Sequence, residues 1–355
     1  MAKHFIGLKI GASQLAAARV AVNGSAELVQ VAQEPLRRGI VAGGEVRDVE
    51  ALAAALKDFF RKHKLPKRGI RVGVANNRIG VRAIELSGIE DPKQLANAIR
   101  FRAQEALPIP IDEAVLDFQV LSEGVNDEGV PTKRVLLVVA YRDLIDAYVQ
   151  ACRVAGLRLE RIDLEAFALL RALTPPETPA AEASERSALV AVAIGAERST
   201  LAVSDGFTCE FTRVLDWGGA ALTASLARAL EVEIDDAEQL KRQLSLESDE
   251  RPEGMGEDKA EQAREALRNG LHSFARELVS SLQFYQSQPD SLGIREVVLA
   301  GGTAQLGGLA SSLQRLIGVT VRVGDPLAGV KVGKKVGTTD SPALAVPIGL
   351  GMAQV

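Results

Sequence analysis

Two glycine-containing turns in this sequence could bind a phosphorylated ligand. Gly11-Ala12-Ser13-Gln14 follows the strand-like run His4 to Ile10, and Gly195-Ala196-Glu197 follows a second such run, Ala191 to Ile194. A hairpin turn with glycine offers backbone N–H groups to a phosphate at little steric cost. One turn from each half of the chain could hold a di- or triphosphate from both sides, although both are also compatible with ordinary hairpins.

A third turn, Gly301-Gly302-Thr303, follows the apolar run Val297 to Leu299. Two residues without a Cβ let the backbone bend and approach a flat ligand closely. Thr303 is predicted to cap a helix from Leu306 to Leu316, whose N-terminal dipole would favour phosphate. The turn therefore suits the adenosine or phosphates of a nucleotide, or it is a βα turn that needs glycine only for packing.

Charged residues at helical spacing form a fourth candidate. Glu238, Lys241 and Arg242 share one face of a predicted helix. The carboxylate could bind ribose hydroxyls and the cations could lie on an adenine face. The alternative is a solvated helix with surface salt bridges.

Composition excludes several classes of function. The chain has 355 residues, a net charge of −4 and only 4% aromatic residues, so neither charge nor base stacking favours nucleic acid. The two cysteines are isolated and the three histidines are scattered, so we predict no disulfide and no metal site built from them. No signal peptide or membrane-spanning run is visible, and we expect a cytoplasmic protein that reaches a membrane only through a partner.

The pattern of hydrophobic residues predicts the strands and helices that position these turns. Strand hairpins are predicted up to Val31, an amphipathic helix from Val49 to Lys62, and a buried strand from Ile70 to Ala75. Arg37 to Gly44 is predicted as loop. A long helix from Ala263 to Ser287 follows a charged insertion.

The opening strand–turn–strand pattern recurs about 185 residues later in the chain. Such repetition predicts two homologous halves that face one cleft. Between them, residues 88–157 are predicted as an α+β insert, and the Pro-, Ala- and Glu-rich residues 174–187 as a linker.

Together these residues resemble the actin/Hsp70/sugar-kinase superfamily, and within it the PilM family of type IV pilus assembly proteins, relatives of the division protein FtsA. The most specific segment is Pro108 to Glu113, within 102–113. The other segments that carry the resemblance are 7–13, 117–118, 155–157, 163–168, 194–197 and 298–309.

The resemblance implies an α/β, actin-like fold: two RNase H-like halves around a nucleotide cleft, with the FtsA-type insert called 1C. It implies these subdomains: 1A, residues 1–87 and 158–173 with 325–355 packed back; 1C, 88–157; 2A, 188–230 and 291–324; and 2B, 231–290. It also implies ATP in the cleft. The residues expected at the nucleotide are Lys9, Gly11, Ala12, Ser13, Gln14, Gly195, Ala196, Glu197, Glu238, Lys241, Arg242, Gly301, Gly302 and Thr303.

A partner is implied as well. Members of this family bind the cytoplasmic N-terminal tail of the membrane protein PilN in a groove between subdomains 1A and 1C. The corresponding residues here are Arg100, Arg102, Glu105, Ile109, Pro110, Asp117 and Phe118. The resemblance further suggests contacts with pilus motor ATPases and the platform protein.

Two departures from the superfamily pattern affect the chemistry. Lys9 and Ala193 stand where relatives carry the acidic residues that hold hydrated Mg²⁺. An ammonium and a methyl group cannot ligate Mg²⁺, and phosphoryl transfer depends on that charge neutralisation. Lys9 could contact a phosphate directly, or it could pair with Glu165, which stands where relatives carry the water-orienting residue and is the one candidate for a catalytic role. We therefore expect ATP hydrolysis to be absent and Mg²⁺ binding to be doubtful.

The leading hypothesis is a scaffold of a pilus, secretion or competence platform that captures a PilN-like tail. One alternative is an active ATPase or sugar-type kinase, against which Lys9 and Ala193 speak. A second alternative is an FtsA-like polymer, which we disfavour because the chain shows no amphipathic membrane helix after its last apolar segment.

Overall fold

The structure is a computed structural model. It describes residues 2–89, 91–106, 110–126, 128–174, 187–206, 208–248, 251–288, 291–334, 336 and 341–352.

The strands are β1 (Lys3–Ile10), β2 (Gln14–Asn23), β3 (Ser25–Pro35), β4 (Val41–Ala42), β5 (Glu45–Val46), β6 (Ile70–Val74), β7 (Ile79–Ser87), β8 (Ala114–Val125), β9 (Pro131–Tyr141), β10 (Leu159–Leu164), β11 (Ala188–Ile194), β12 (Ser199–Ser204), β13 (Cys209–Leu215), β14 (Ile294–Ala300), β15 (Thr320–Val323) and β16 (Lys331–Val332). The α-helices are α1 (Val49–Lys62), α2 (Pro92–Ala106), α3 (Arg142–Val154), α4 (Glu165–Leu173), α5 (Gly219–Leu230), α6 (Ile234–Gln243), α7 (Glu257–Gln286), α8 (Leu309–Ile317) and α9 (Ala345–Met352).

The first lobe is built on the sheet β10-β6-β1-β2-β3-β16. Helix α1 packs on this sheet because its apolar residues recur at helical spacing and bury Leu52, Leu56 and Phe60. It begins at its predicted residue, where the Asp48 side chain accepts a hydrogen bond from the Ala51 N–H at 2.9 Å.

The second lobe repeats the same strand order in the sheet β13-β12-β11-β14-β15. In both lobes an antiparallel meander of three strands continues into parallel strands. This repetition confirms the predicted pair of RNase H-like halves. Helices α4 and α9 lie between the sheets and cross very closely: a Cβ added to Gly349 would lie 1.8 Å from the carbonyl oxygen of Ala168.

The insert is a three-stranded sheet, β7-β9-β8, covered by α2. Its bounds differ from the predicted 88–157, since β7 already belongs to the insert and α3 belongs to the first lobe. Helix α3 buries Leu144, Tyr148 and Cys152 in the core beneath α1. Periodicity shows that a helix has a buried face but not which element covers that face.

Several local predictions also differ from the structure. The predicted loop at residues 37–44 contains β4, which pairs with β5 through a Gly43-Gly44 turn whose φ angles are +58° and +69°. Thr303 does not cap a helix: residues 302–305 form a 3₁₀ turn, and α8 starts only at Leu309. Helix α7 starts at Glu257, six residues before the predicted start. Among the described residues, no helix is both long and apolar enough to cross a bilayer.

Candidate nucleotide cleft and partner surface

The two predicted phosphate turns have the same backbone geometry. The Gly11 N–H donates to the Gln14 carbonyl at 2.9 Å, and the Gly195 N–H donates to the Arg198 carbonyl at 2.9 Å. A Cβ at either glycine would lie within 3.2 Å of the carbonyl oxygen across the turn. A Cβ at Gly195 would lie only 2.7 Å from that oxygen, so glycine is required there, whereas at Gly11 the contact would be tight.

The second-lobe turn is held by the start of α5. The N–H groups of Gly219 and Ala220 donate to the carbonyls of Gly195 and Ala196 at 2.9 and 2.8 Å. A Cβ at Gly218 would lie 2.5 Å from the Ala196 oxygen, so only glycine permits this approach. The first N–H groups of α5 thus bind protein carbonyls, and the backbone fixes the shape of the turn.

The Gly301-Gly302-Thr303 turn contacts the second-lobe turn at Gly195. Gly301 has a φ of +88° and lies against the backbone of Ile194. The Thr303 hydroxyl donates to the Gly195 carbonyl at 3.2 Å. A Cβ at Gly302 would meet nothing within 4 Å, so this glycine borders open space that a flat group could approach.

Glu238, Lys241 and Arg242 form a hydrogen-bonded cluster on α6. Lys241 is 7% exposed, and its ammonium donates to the Gly219 carbonyl, the Thr223 hydroxyl and Glu238 Oε2 at 3.1, 2.8 and 2.6 Å. These three bonds use all three donors of the ammonium, so Lys241 has none left for a ligand. Arg242 Nε lies 3.1 Å from Glu238 Oε1 and its side chain is 75% exposed.

Electrostatics in this cluster favours the ionised carboxylate. Burial raises the pKa of Glu238, but hydrogen bonds from Lys241 and Thr223 outweigh that effect and leave the pKa below its usual value. Burial lowers the pKa of Lys241, which the Glu238 carboxylate opposes. The predicted surface salt bridge is therefore partly buried, and it fixes α6 to the start of α5.

Lys9 pairs with Glu165 across the first-lobe side of the cleft. The Lys9 ammonium lies 3.0 Å from Glu165 Oε2, and the two side chains are 19% and 8% exposed. Of the two roles predicted for Lys9, the structure contains the ion pair. Glu165 is held there because it begins α4 directly after β10.

The residues present do not fit Mg²⁺. Ala193 is buried in the core shared with α4 and α9, and an ammonium occupies the position of the other expected carboxylate. Among the described residues, no three His, Cys, Asp or Glu side chains come together as a possible metal site. A divalent cation held by protein oxygens is therefore not part of any step that we derive.

Direct contacts between the lobes form a latch, by which we mean Gly43, Asn77, Glu197, Arg198 and Asp216. The Gly43 N–H donates to Glu197 Oε2 at 2.8 Å, and Asn77 Nδ2 donates to Asp216 Oδ2 at 2.8 Å. Arg198 Nε lies 2.8 Å from Asp216 Oδ1. Glu197 thus bonds the first lobe directly, whereas Arg198 acts within its own lobe by holding Asp216, which accepts the hydrogen bond from Asn77.

A cavity of about 460 Å³ lies beside the latch, between β6 and β10 of one lobe and β12 and β13 of the other. Its polar lining includes Asn76, Asn77, Thr200, Thr212 and Asp216. None of the residues predicted for the nucleotide lines it.

The predicted partner residues lie on the insert. Arg100 and Arg102 are exposed on α2, Pro110 is exposed after it, and Asp117 and Phe118 are exposed on the edge strand β8. Ile109 and the side chain of Glu105 lie outside the described residues.

Sequence reasoning missed three features of the cleft. Gly218 precedes α5, Gly219 is its first residue, and together they allow its close approach to the second turn; the Trp217-Gly218-Gly219 run was the available signal. The Gly43-Gly44 turn was hidden in a predicted loop, although two adjacent glycines are typical of a tight hairpin. Thr223 has no distinguishing pattern in the sequence.

Two RNase H-like lobes, with paired hairpin turns and a Gly-Gly turn at the cleft, define an actin-like protein. The sequence matches the family model described as "Type IV pilus assembly protein PilM" over residues 7–355. The chain belongs to this PilM family.

Individual relatives agree with this assignment. The chain is similar to a protein in the structure titled "PilM-PilN type IV pilus biogenesis complex", with 26% identity and a TM-score of 0.79 over 98% of this chain and 97% of that one. The cell division protein FtsA of Escherichia coli K12 is 24% identical over 366 residues, which span 92% of this chain and 84% of FtsA. MreB5 of Spiroplasma citri bound to AMPPNP shares the fold, with 13% identity and a TM-score of 0.56 over 98% of this chain and 94% of MreB5.

Proposed function

We propose that this protein is a cytoplasmic scaffold of a type IV pilus or related inner-membrane platform, and that it binds the cytoplasmic N-terminal tail of a PilN-like membrane protein. The observation that carries the proposal is the similarity of nearly the whole chain to a protein found in a PilM–PilN complex. Attachment through such a tail brings the protein to the inner face of the membrane.

The insert offers suitable chemistry for an extended tail. Strand β8 is an edge of the insert sheet, and its outer backbone groups can pair with an added strand. Phe118, 38% exposed on β8, supplies an apolar contact, and the guanidinium of Arg100 on α2 supplies a charged one. We assign the groove to this surface together with Pro110, Asp117, Arg102, Glu105 and Ile109.

The test is a titration of this protein into a fluorescently labelled peptide copy of its PilN-like partner's tail, measured by anisotropy. We expect Phe118→Ala and Arg100→Gln each to weaken binding at least tenfold, as loss of an interface anchor does. Phe284→Ala and Arg276→Gln are the matched controls, because both side chains are exposed on α7. Wild-type affinity in both insert variants would refute the groove, and no binding by wild type would refute the tail as the partner.

For the nucleotide we propose a structural role without metal-dependent hydrolysis. The two turns offer phosphate-binding N–H groups and Gly302 borders open space, whereas Lys9 and Ala193 provide no metal ligand. If ATP binds, Lys9 replaces part of the charge that Mg²⁺ supplies in relatives. Within the α6 cluster, two groups can still contact a nucleotide. They are the exposed face of Arg242 and the one remaining acceptor site on Glu238 Oε1, since Lys241 has no donor left.

Calorimetric titration with ATP, with and without Mg²⁺, tests this role. We expect equal affinity in both conditions for wild type. The double variant Lys9→Asp/Ala193→Asp should gain a dependence on Mg²⁺ because it restores two carboxylates. Steady Mg²⁺-dependent phosphate release by the wild-type protein would overturn the proposal in favour of an active ATPase.

A further inference from the structure

One end of the first lobe carries a concentration of cations. In the parallel part of the sheet, Ile6 of β1 and Leu159 of β10 both align with Ile70 of β6. These three parallel strands therefore begin at the same end of the sheet. This brings together Lys3, the 67–68 segment and Arg158. The Arg158 N–H donates to the Lys67 carbonyl at 2.9 Å, which fixes two of these segments side by side.

We call Lys3, Lys64, Lys67, Arg68 and Arg158 the basic pole. All five side chains are exposed. Residues 61–68 contain five cations and no carboxylate, in a chain whose net charge is −4. The positive charge is thus local and is not a property of the whole surface.

Carboxylates that are close to the pole in the fold or the sequence already have cationic partners outside it. Asp58 pairs with Arg61, Glu34 with Lys62, and Glu160 with the buried Arg71 at 3.0 Å. Within the described part of the chain, no residue of the basic pole forms an ion pair. These five charges are therefore available to an external anion.

Lys64 also occupies a position where another residue would be more favourable. It follows the last turn of α1 with a φ of +52°, in the left-handed region where glycine is the usual residue. This conformation places the Lys64 side chain next in the sequence to the other cations of the pole.

The composition of the pole determines what it can bind. None of the exposed large apolar side chains lies between residues 61 and 68, and Val154, four residues before Arg158, is the single one close to the pole in the described sequence. A protein interface needs apolar or aromatic anchors, and single-stranded nucleic acid needs aromatic platforms. An anionic lipid surface needs only clustered Lys and Arg, each of which strengthens binding about fivefold near the headgroups.

We propose that the basic pole binds the anionic headgroup surface of a bilayer. The choice of a lipid surface rests on the proposed function, which brings the protein to a membrane through a partner's tail. The pole would give a purely electrostatic attachment that is separate from the tail.

The experiment is co-sedimentation of the full chain with vesicles in the absence of any tail peptide. We compare vesicles of phosphatidylethanolamine and phosphatidylglycerol (3:1) with vesicles of phosphatidylcholine at 50 mM salt. Wild type should bind the anionic vesicles only, and 0.5 M salt should release it because charges at this distance are screened. Changing Lys64, Lys67, Arg68 and Arg158 to Gln should weaken binding at least a hundredfold, from about fivefold per charge.

The matched control removes the same charge from exposed positions of other surfaces: Lys259→Gln, Arg276→Gln, Arg295→Gln and Lys331→Gln. Binding like wild type by this control supports the pole. Equal binding by both quadruple variants, or no binding of wild type to anionic vesicles, overturns the proposal, as does binding to a short DNA duplex but not to vesicles. Because no tail peptide is present, a negative result leaves the proposed PilN-tail function intact, and loss of tail binding leaves this result intact.

Discussion

Replacing Lys9 by methionine tests whether the ion pair with Glu165 is a structural part of the cleft. The substitution keeps the length of the side chain and removes its charge. Glu165 is then left 6% exposed as a residue, with its carboxylate facing a methyl group where it now contacts an ammonium at 3.0 Å. Removing one partner of a buried pair is costly because the other charge stays desolvated.

The magnitude follows from the burial of the two side chains. A fully buried pair that loses one partner costs about 3–5 kcal/mol. Lys9 is 19% exposed, so water reaches part of the pair, and we expect a loss of about 2–3 kcal/mol in the free energy of unfolding. For a lobe of this size that corresponds to a fall in Tm of about 5–10 °C.

Scanning calorimetry of four proteins provides the assay: wild type, Lys9→Met, Glu165→Met and the double variant. An apolar pair of similar volume is about as stable as a buried ion pair, so the double variant should recover most of the loss. The coupling energy from this cycle isolates the pair from other effects of each substitution. Lys57→Met, at an exposed position of α1, controls for the loss of a surface charge and should change stability by less than about 0.5 kcal/mol.

A Tm for Lys9→Met within about 1 °C of that for Lys57→Met would refute this reasoning. It would mean that Glu165 does not need the ammonium, and that the carboxylate is free to serve another partner. The argument that an internal ion pair occupies the metal position would then fail.

Three further predictions concern other parts of the molecule. The pKa of Glu238 is lowered in the folded state, so its contribution to stability is present above about pH 4.5 and is lost as the pH falls through the folded pKa. Between pH 6 and pH 3, Glu238→Gln should therefore lose less stability than wild type. Urea unfolding at each pH measures this difference. Burial raises the pKa of the Cys152 and Cys209 thiols to about 12, so Ellman's reagent should label neither in the native protein at pH 8 and both in guanidinium chloride. Gly349→Ala should destabilise the protein by about 3 kcal/mol through a clash at the α4–α9 crossing, whereas Gly293→Ala, with no atom within 4 Å of the new Cβ, should not; calorimetry distinguishes them.

Sequence patterns correctly predicted the elements whose bounds depend only on residues close together in the chain. Helix α1 has its predicted bounds because its apolar period, its capping Asp48 and its end at His63 all lie within one short segment. The two lobes could be predicted because the same turn occurs twice. The partner of α3 could not, since its amphipathic face fits the insert and the first lobe equally well until the chain is folded.

In the candidate site too, contacts within one helix could be predicted from the sequence, and contacts between elements could not. Spacing placed Glu238 and Lys241 on one face of a helix, and they are bonded to each other at 2.6 Å. Spacing could not show that the lysine also reaches the Gly219 carbonyl, because that contact depends on how α5 packs on α6. The pairing of Lys9 with Glu165 was one of two predicted alternatives, and choosing between them required the relative position of β1 and α4.

The hydrogen bonds of the latch join the two lobes and therefore affect how the cleft opens. Opening the lobes would break the hydrogen bonds Gly43 to Glu197 and Asn77 to Asp216, each worth about 1 kcal/mol, in addition to the packing of α4 and α9 between the two sheets. Glu197 belongs to the predicted phosphate turn, so a phosphate bound there would repel its carboxylate and compete with it as the acceptor of the Gly43 N–H. If a phosphate binds in this way, occupancy of the cleft and the angle between the lobes would be coupled through one carboxylate, without any need for a metal ion.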